Sequence, residues 1–302
     1  MIKKVRILII ILFVAAAAVF FISRIHERRT QDFKAPVITA ESDKLEASVK
    51  VSDAELLEGM KAMDNLDGDV TGTMVVASRS KFIRPNVVKV HYAAFDNNNN
   101  VGTFVRELTY TDYVSPRFSL SAPLCYIDSA SNDASQILRS LKAVDCIDGD
   151  ISQQIMVTQG DLETIGDGVK GQPVSLQVSN RTGDTATLNL MVRFEDYNVF
   201  NQQKPHLSQY LTYIKKGDSP PSWIMFADGV GYGNRVTSFI DAGFSRYPDV
   251  QVDTSAVDYT TPGAYEIIYT LTKLTESGVR MPLGSTVMVL IVEEPETPVT
   301  EE

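Results

Sequence analysis

Two stretches of the sequence, Ala54–Val70 and Ser135–Ile151, resemble each other at a constant offset of 81 residues. Both contain a Lys-Ala pair and then the motif Asp-x-x-Asp-Gly-Asp. The motif residues are Asp64, Asp67, Gly68 and Asp69 in the first stretch, and Asp145, Asp148, Gly149 and Asp150 in the second. Agreement over this length indicates a tandem duplication, so the chain is expected to fold as repeated units of about 80–90 residues.

Each repeat has the same local plan. A short amphipathic helix is predicted before the Asp-rich turn, from apolar residues at helical spacing. In the first repeat these residues are Leu56, Leu57, Met60 and Met63. Alternating strands are predicted after the turn, at Val88, Val90 and Tyr92 in the first repeat and at Val174, Leu176 and Val178 in the second. Period-2 alternation with short polar turns predicts antiparallel sheet with one buried face.

A third, more divergent repeat follows. Trp223, Ile224, Ala227 and Val230 have the helical spacing, and a strand pair is predicted from Thr261–Thr270 and Ser285–Val292. The Asp-Gly-Asp turn is missing, and the segment Gly229–Asn234 is rich in glycine instead. We name the repeats copy 1 (30–113), copy 2 (114–197) and copy 3 (198–294).

The Asp-x-x-Asp-Gly-Asp motif, the Pro262-Gly263-Ala264-Tyr265 strand and a closing valine-rich strand together resemble a bacterial immunoglobulin-like (Ig-like) repeat, the type named after a domain of a pesticidal crystal protein. The resemblance covers roughly residues 33–295. It implies an all-β chain of three tandem Ig-like antiparallel β-sandwiches, each with a short helix, in a surface or secreted protein. It also implies no catalytic residues in the repeats.

The first 29 residues differ in character from the rest. They carry six Lys/Arg around an apolar run from Ile7 to Ile22, and counting from Val5 to Ile25 gives 21 residues, enough to span a membrane. We expect an uncleaved signal-anchor, and the alternative is a signal peptide cleaved near Ala15–Ala18. The positive charges flanking the run are nearly balanced. The cysteine content and the strand-rich remainder favour an inside N-terminus and an extracellular body at the cell membrane.

Charge excludes one class of partner. The whole chain has a net charge of −10, and the part beyond residue 29 has −15. A body this acidic is a poor ligand for a phosphate backbone, so no nucleic acid is expected as a partner. Residues 295–302 are acidic and lack a core-forming pattern, which predicts a disordered tail.

The two Asp-rich turns are the first candidate sites. In each, three carboxylates lie within six residues, and hard cations such as calcium prefer oxygen ligands. The candidate ligands are Asp64, Asp67, Asp69, Asp145, Asp148 and Asp150. The spacing is not that of an EF-hand. The alternative is a purely structural turn, in which Asp side chains accept bonds from their own backbone. No other cofactor is expected.

The two cysteines, Cys125 and Cys146, are the second candidate feature. Both belong to copy 2, and two cysteines in one extracellular domain predict a disulfide. The alternative is a pair of buried free thiols. Without a Cys-x-x-Cys motif a redox role is not indicated.

Aromatic residues concentrate in copy 3 and form the third candidate. The set comprises Tyr210, Tyr213, Trp223, Phe226 and Tyr232. Exposed, these rings would provide a docking face for carbohydrate or protein, and buried, they would be ordinary core.

Taken together, these features predict a single-pass, non-enzymatic cell-surface protein that serves as a stalk, adhesion module or interaction scaffold. Its expected partners are the membrane, through residues 5–25, and another envelope protein or a cell-wall glycan. The alternatives are a glycan-binding module and a regulatory subunit of a membrane enzyme.

Overall fold

The computed structural model describes residues 2–30, 32–130 and 132–294. The chain begins with one long helix, α1 (Ile2–Thr30), and is otherwise built almost entirely of β-strands. The all-β class expected from the alternating sequence is therefore confirmed. The tail predicted to be disordered, residues 295–302, lies outside the described residues.

Copy 1 consists of two sheets packed as a sandwich. Its strands are β1 (Val37–Ala40), β2 (Lys44–Ala47), β3 (Met60–Asp64), β4 (Gly68–Asp69), β5 (Val75–Arg84), β6 (Val87–Phe95) and β7 (Val101–Tyr110). One sheet has the order β1-β3-β4 and the other has the order β2-β7-β6-β5. All neighbours are antiparallel except β2 and β7, which run parallel.

Copy 2 repeats this topology. Its strands are β8 (Arg117–Leu120), β9 (Cys125–Ile127), β10 (Leu141–Asp145), β11 (Gly149–Asp150), β12 (Met156–Gln159), β13 (Glu163–Gly166), β14 (Val169–Ser179) and β15 (Thr185–Glu195). The small sheet is β8-β10-β11, and the large sheet is β9-β15-β14-β12 with β13 as an addition on β14. The parallel pair is β9 with β15.

Copy 3 follows the same order, although its sequence is the most divergent. Its strands are β16 (Gln203–Leu207), β17 (Leu211–Lys215), β18 (Ala227–Tyr232), β19 (Arg235–Thr237), β20 (Val250–Asp253), β21 (Gly263–Leu274) and β22 (Arg280–Glu293). The sheets are β16-β18-β19 and β17-β22-β21-β20, and β17 runs parallel to β22. Beyond α1, the described part of the chain therefore consists of three Ig-like β-sandwiches in tandem.

The predicted helices are shorter than expected. The helical turn before the Asp motif covers only Asp53–Leu56, and Met60–Asp64, expected to continue the helix, is strand β3. Met60 and Ala62 are buried while Lys61 and Met63 face outward, which is the period of a strand. The other short helical turns are Thr71–Thr73, Ala134–Arg139, Ser152–Gln154, Tyr197–Phe200, Trp223–Phe226 and Arg246–Asp249.

The chain divides into two compact units, Met1–Tyr113 and Val114–Glu302. In the second unit the buried residues form one continuous apolar cluster, from Phe118 in copy 2 to Val292 in copy 3. The boundary expected between residues 197 and 198 lies inside this unit and stays a prediction.

Candidate functional site

The Asp-rich turn of copy 1 closes a tight hairpin between β3 and β4. Asp64 Oδ1 accepts bonds from the backbone N–H groups of Leu66, at 2.8 Å, and Asp67, at 2.9 Å. These donors, that of Asp67 first, hold the pKa of the Asp64 carboxyl below its usual range. Gly68 has a φ of 75°, a conformation that favours glycine. The motif thus encodes the turn between two strands and not a helix-to-strand turn.

The other two carboxylates of the motif accept hydrogen bonds from other parts of copy 1. Asp69 Oδ1 accepts from the backbone N–H of Thr71 at 2.9 Å. The Asp67 carboxylate accepts from the backbone N–H and the side-chain amide of Asn97, at 2.9 and 2.7 Å. The predicted calcium set Asp64, Asp67 and Asp69 therefore needs correction, because each carboxylate faces a different part of the fold.

Copy 2 has the same hairpin. Asp145 Oδ1 accepts from the N–H groups of Ile147 and Asp148, both at 2.8 Å, and Asp150 accepts from Ser152 at 2.9 Å. The Asp148 carboxylate pairs with the Arg181 side chain at 3.0 Å. The predicted set Asp145, Asp148 and Asp150 is corrected on the same grounds.

A different acidic group does form in copy 1. Asp32, Asp64 and Asp96 each place a carboxylate oxygen within 4.8 Å of the others, and among the described residues this is the one group of three or more acidic, His or Cys side chains with such spacing. We call it the three-carboxylate cluster. Asp64 and Asp96 are buried, with 7% and 6% of their surface exposed.

Sequence reasoning missed two members of the cluster. Asp32 lies two positions after the last residue of α1, and Asp96 opens the Asn-rich turn after β6. Asp96 lies where copy 2 has Asn180, since each residue starts the turn after its strand and accepts a bond from the residue four positions on. Aligning these turns, and not only the Asp-x-x-Asp-Gly-Asp motif, would have signalled Asp96.

The predicted disulfide is wrong. Cys125 and Cys146 do not form a disulfide with each other. Cys125 pairs with Arg193, near the end of β15. Cys146 lies at the other end of that strand, because its neighbour Asp145 contacts Asn180 in the turn before β15 begins at Thr185. Eight residues of strand separate these ends, about 26 Å. A disulfide needs Cα atoms no more than about 7 Å apart.

Each thiol has its own environment. Cys146 Sγ lies 3.2 Å from the Val114 carbonyl, and the Val114 N–H lies 3.4 Å from the same sulfur. Cys125 is largely enclosed, and burial, followed by the neighbouring Glu195, raises the pKa of its thiol. A raised pKa keeps the Cys125 thiol protonated at neutral pH.

The aromatic set of copy 3 is mostly core. Tyr210 and Trp223 are buried, and Tyr213 and Phe226 are partly buried and pack against the apolar cluster. Of the five, only Tyr232 is exposed, at 53%. The core alternative therefore describes Tyr210 and Trp223, and Tyr213 and Phe226 in part, because the sandwich uses these large rings to fill its interior.

A groove of about 670 Å³ lies in the second unit, lined by residues of copies 2 and 3. Charged side chains cross this junction. Arg193 of copy 2 pairs with Glu266 of copy 3 at 2.6 Å, and Lys204 of copy 3 pairs with Glu195 of copy 2. His206 Nδ1 contacts Asp228 Oδ1 at 2.6 Å. The groove is thus lined by both apolar and polar side chains, and several of its charged groups are paired with each other.

Helix α1 contains one segment, Val5–Ile25, that is long and apolar enough to cross a membrane, with a mean hydropathy of 3.0. Its most apolar stretch has none of its residues buried. An N-terminal segment of this kind is either a membrane anchor or a signal sequence.

No protein-family profile and no curated protein matches the chain. Solved structures similar to it include the CBM51-2 and INT domains of Clostridium perfringens ZmpB, in complex with GlcNAc, at 18% identity over 48% of this chain and 29% of that one, with a TM-score of 0.21. The protocadherin GammaB4 extracellular domain matches at 10% identity over 85% of this chain and 49% of that one, with a TM-score of 0.19.

Mouse cadherin-23 EC22-24 matches at 9% identity over 86% of this chain and 99% of that one, with a TM-score of 0.19. The chain spans less than half the length of the ZmpB and protocadherin GammaB4 chains that it matches.

Proposed function

We propose that this chain is a single-pass membrane protein whose three sandwiches lie outside the cell and act as a non-enzymatic scaffold. The exposed apolar segment Val5–Ile25 carries the proposal. Its 21 residues give a helix of about 31 Å, which matches a hydrocarbon core of about 30 Å. An apolar surface of this size is unfavourable in water.

The ends of the segment suit an uncleaved anchor. Arg6 and Arg24 stand one residue inside its two ends, where long basic side chains reach the headgroup region. The apolar run continues through Phe20 and Phe21 beyond the alanines that a signal peptidase would recognise. Resemblance to bacterial Ig-like repeats favours the outer side of the membrane for the sandwiches.

The junction between copies 2 and 3 favours a scaffold. The Tyr210 N–H donates to the Leu120 carbonyl at 3.0 Å, and the Phe118 N–H donates to the Tyr213 hydroxyl at 2.8 Å. Together with the Arg193–Glu266 pair these contacts join the two sandwiches as one body. A rigid two-domain body presents its surface to a partner at little entropic cost.

Two arginine substitutions in the apolar segment test the anchor. Val14→Arg with Ala17→Arg places two charges at the helix centre, each costing about 2.5–3.5 kcal/mol on insertion. We expect the variant to leave the membrane fraction. The matched control is Phe33→Arg, an exposed apolar residue outside the segment, which should stay in membranes. A wild-type chain whose mass lacks the first residues and that is found free in the medium would contradict anchoring.

A pair of charge reversals tests the scaffold. Arg193→Glu places a carboxylate against Glu266 at the junction, whereas Arg84→Glu does the same against Glu107 within copy 1. We expect crosslinking in intact membranes to give one envelope-protein adduct in the wild type and in Arg84→Glu, and a weaker adduct in Arg193→Glu. Absence of any adduct in the wild type would refute the scaffold.

A second candidate is glycan binding, which the groove lined by copies 2 and 3 favours. Tyr232 is the one exposed ring of the aromatic set, and its neighbours Gly231 and Gly233 line the groove. If a glycan binds there, co-sedimentation with cell-wall material should fall on Tyr232→Ala and persist on Tyr197→Ala, another exposed tyrosine. Equal retention by both variants would eliminate this role for Tyr232.

A further inference from the structure

We propose that Asp32, Asp64 and Asp96 bind one calcium ion in copy 1. The geometry of the cluster fits a single ion. Calcium binds oxygen at about 2.3–2.6 Å, so two ligands on opposite sides lie about 4.6–5.2 Å apart. All three carboxylate oxygens lie within 4.8 Å of one another, so one ion can contact them all.

One oxygen of the cluster points to a missing ligand. Asp64 Oδ1 is used by the turn, but Asp64 Oδ2 is buried and has no hydrogen-bond partner. The residue is more than nine-tenths buried. A buried carboxylate oxygen without a donor is costly, and a bound cation removes that cost.

Copy 2 identifies where this oxygen points. There the equivalent Asp145 Oδ2 accepts a bond from the Asn180 side-chain amide at 3.0 Å. Copy 1 has Asp96 in place of Asn180, so the amide donor is replaced by a second carboxylate. Asp64 Oδ2 therefore faces a negative group where its counterpart faces a donor.

The third carboxylate is also specific to copy 1. Asn65 Nδ2 donates to Asp32 Oδ2 at 3.2 Å, and the Asn100 amide donates to the Asp32 carbonyl at 3.0 Å. At the position of Asn65, copy 2 has Cys146, which contacts the backbone of Val114. Copy 1 thus brings together three carboxylates where copy 2 retains one.

The existing partners leave the charge of the cluster uncompensated. Both Asp96 oxygens accept from Asn100, and Asp32 Oδ1 accepts from the Lys34 backbone N–H. None of the salt bridges among the described residues reaches the three carboxylates. Three acidic groups with only neutral donors suit a divalent cation, and an all-oxygen set selects calcium over zinc.

Substitution of Asp96 tests the site. Asp96→Asn recreates the amide of copy 2, which can donate to Asp64 Oδ2. The full chain in detergent is stripped of metal and titrated with calcium to about 10 mM by calorimetry, because extracellular modules bind calcium at about 0.1–1 mM. We expect one site in the wild type and at least a tenfold weaker affinity in Asp96→Asn, roughly the effect of one lost charged ligand.

Thermal unfolding adds a second readout, because a calcium ligand and a merely structural residue should shift the melting midpoint differently. Saturating calcium should raise the midpoint of the wild type by about 5 °C and leave Asp96→Asn unchanged. Without metal, Asp96→Asn should melt close to the wild type, because the new amide satisfies the buried oxygen and offsets the loss of one bond from Asn100. A residue with a merely structural role would lower the midpoint with and without calcium alike.

Asp67→Asn is the matched control. It removes the same charge from the hairpin that contains Asp64, but the Asp67 carboxylate accepts from Asn97 and is not a member of the cluster. We expect calcium affinity to be retained. Equal loss in Asp67→Asn and Asp96→Asn, or no binding by the wild type, would overturn the proposal. The site requires only copy 1, so its failure would leave the anchored scaffold untouched.

Discussion

Copies 1 and 2 contain the same Asp-rich hairpin, but the side chains packed against it differ. Asp64 and Asp145 make matching backbone bonds in the two turns. Opposite them stand Asp96 in copy 1 and Asn180 in copy 2. The amide completes the hydrogen bonds of copy 2, whereas the carboxylate leaves an acidic cluster in copy 1. A structural turn and a candidate cation site thus share one hairpin and differ in the side chains packed against it.

The two copies also differ in how they are stabilised. Copy 1 belongs to a compact unit that ends at Tyr113. Copy 2 contributes to an apolar cluster that continues into copy 3. We therefore expect damage to copy 2 to spread to copy 3, and damage to copy 1 to remain local. Trp223, the one tryptophan of the chain, reports on copy 3.

The largest effect is expected at the junction. Lys204→Ala leaves the buried Glu195 carboxylate without its ammonium partner, which costs about 3–5 kcal/mol. Urea unfolding followed by Trp223 fluorescence measures the loss. Arg84→Ala breaks an exposed ion pair in copy 1 and should lower the free energy of unfolding by less than about 1 kcal/mol. Urea unfolding followed by circular dichroism measures this loss. Similar losses in both variants would remove the distinction between junction and surface.

Equivalent core truncations test whether damage spreads. Leu56 and Ile137 are both fully buried and lie 81 positions apart. Each change to alanine should cost about 2–5 kcal/mol. Ile137→Ala should shift the Trp223 transition, because its side chain belongs to the shared cluster. Leu56→Ala should leave that transition in place, and a shift there would break the comparison.

A smaller effect is expected at two buried tyrosines. The Tyr92 hydroxyl donates to the Leu56 carbonyl at 3.1 Å in copy 1, and the Tyr269 hydroxyl donates to the Trp223 carbonyl at 2.9 Å in copy 3. Each change to phenylalanine removes one buried bond and should cost about 1–2 kcal/mol in urea unfolding. The exposed Tyr232→Phe should change the free energy of unfolding by less than about 0.5 kcal/mol.

The smallest expected effect is a loss of folding stability at alkaline pH, which is absent at neutral pH. Burial raises the pKa of Tyr210 and of Tyr213 to about 12, whereas an unfolded tyrosine titrates near pH 10. Between these values the folded state holds more protons, so stability is full below about pH 10 and falls as pH rises through about 12. Urea midpoints at pH 9 and 11 should differ less in Tyr210→Phe than in the wild type. An equal drop of the urea midpoint in both proteins would exclude Tyr210 as a source of the pH dependence.

The sequence predicted the fold better than the site. Period-2 alternation at Val174, Leu176 and Val178 identified strand β14 because one face of the sheet is buried. The helix expected to reach Met63 was wrong, since Met60 and Met63 satisfy a helical spacing while the residues between them alternate in burial. Short apolar runs fit both periods, and tertiary packing decides between them.

The candidate site depends on residues far apart in sequence. Asp32, Asp64 and Asp96 meet only because β3 and the turn after β6 converge near the start of the sandwich. Local spacing instead drew attention to Asp67 and Asp69, whose carboxylates serve the backbone. Likewise, two cysteines in one domain predicted a bridge, but strand β15 separates Cys125 from Cys146 by most of its length.

The parallel pairing of the second and last long strands in every copy has a mechanical consequence. A pull on the two ends of a sandwich slides these strands along each other, so the hydrogen bonds between them bear the load together and do not unzip one after another. The pairing is longest in copy 3, over Leu211–Lys215, and shortest in copy 2, over Cys125–Ile127. When the chain is pulled from its two ends, copy 2 is the place where extension should start.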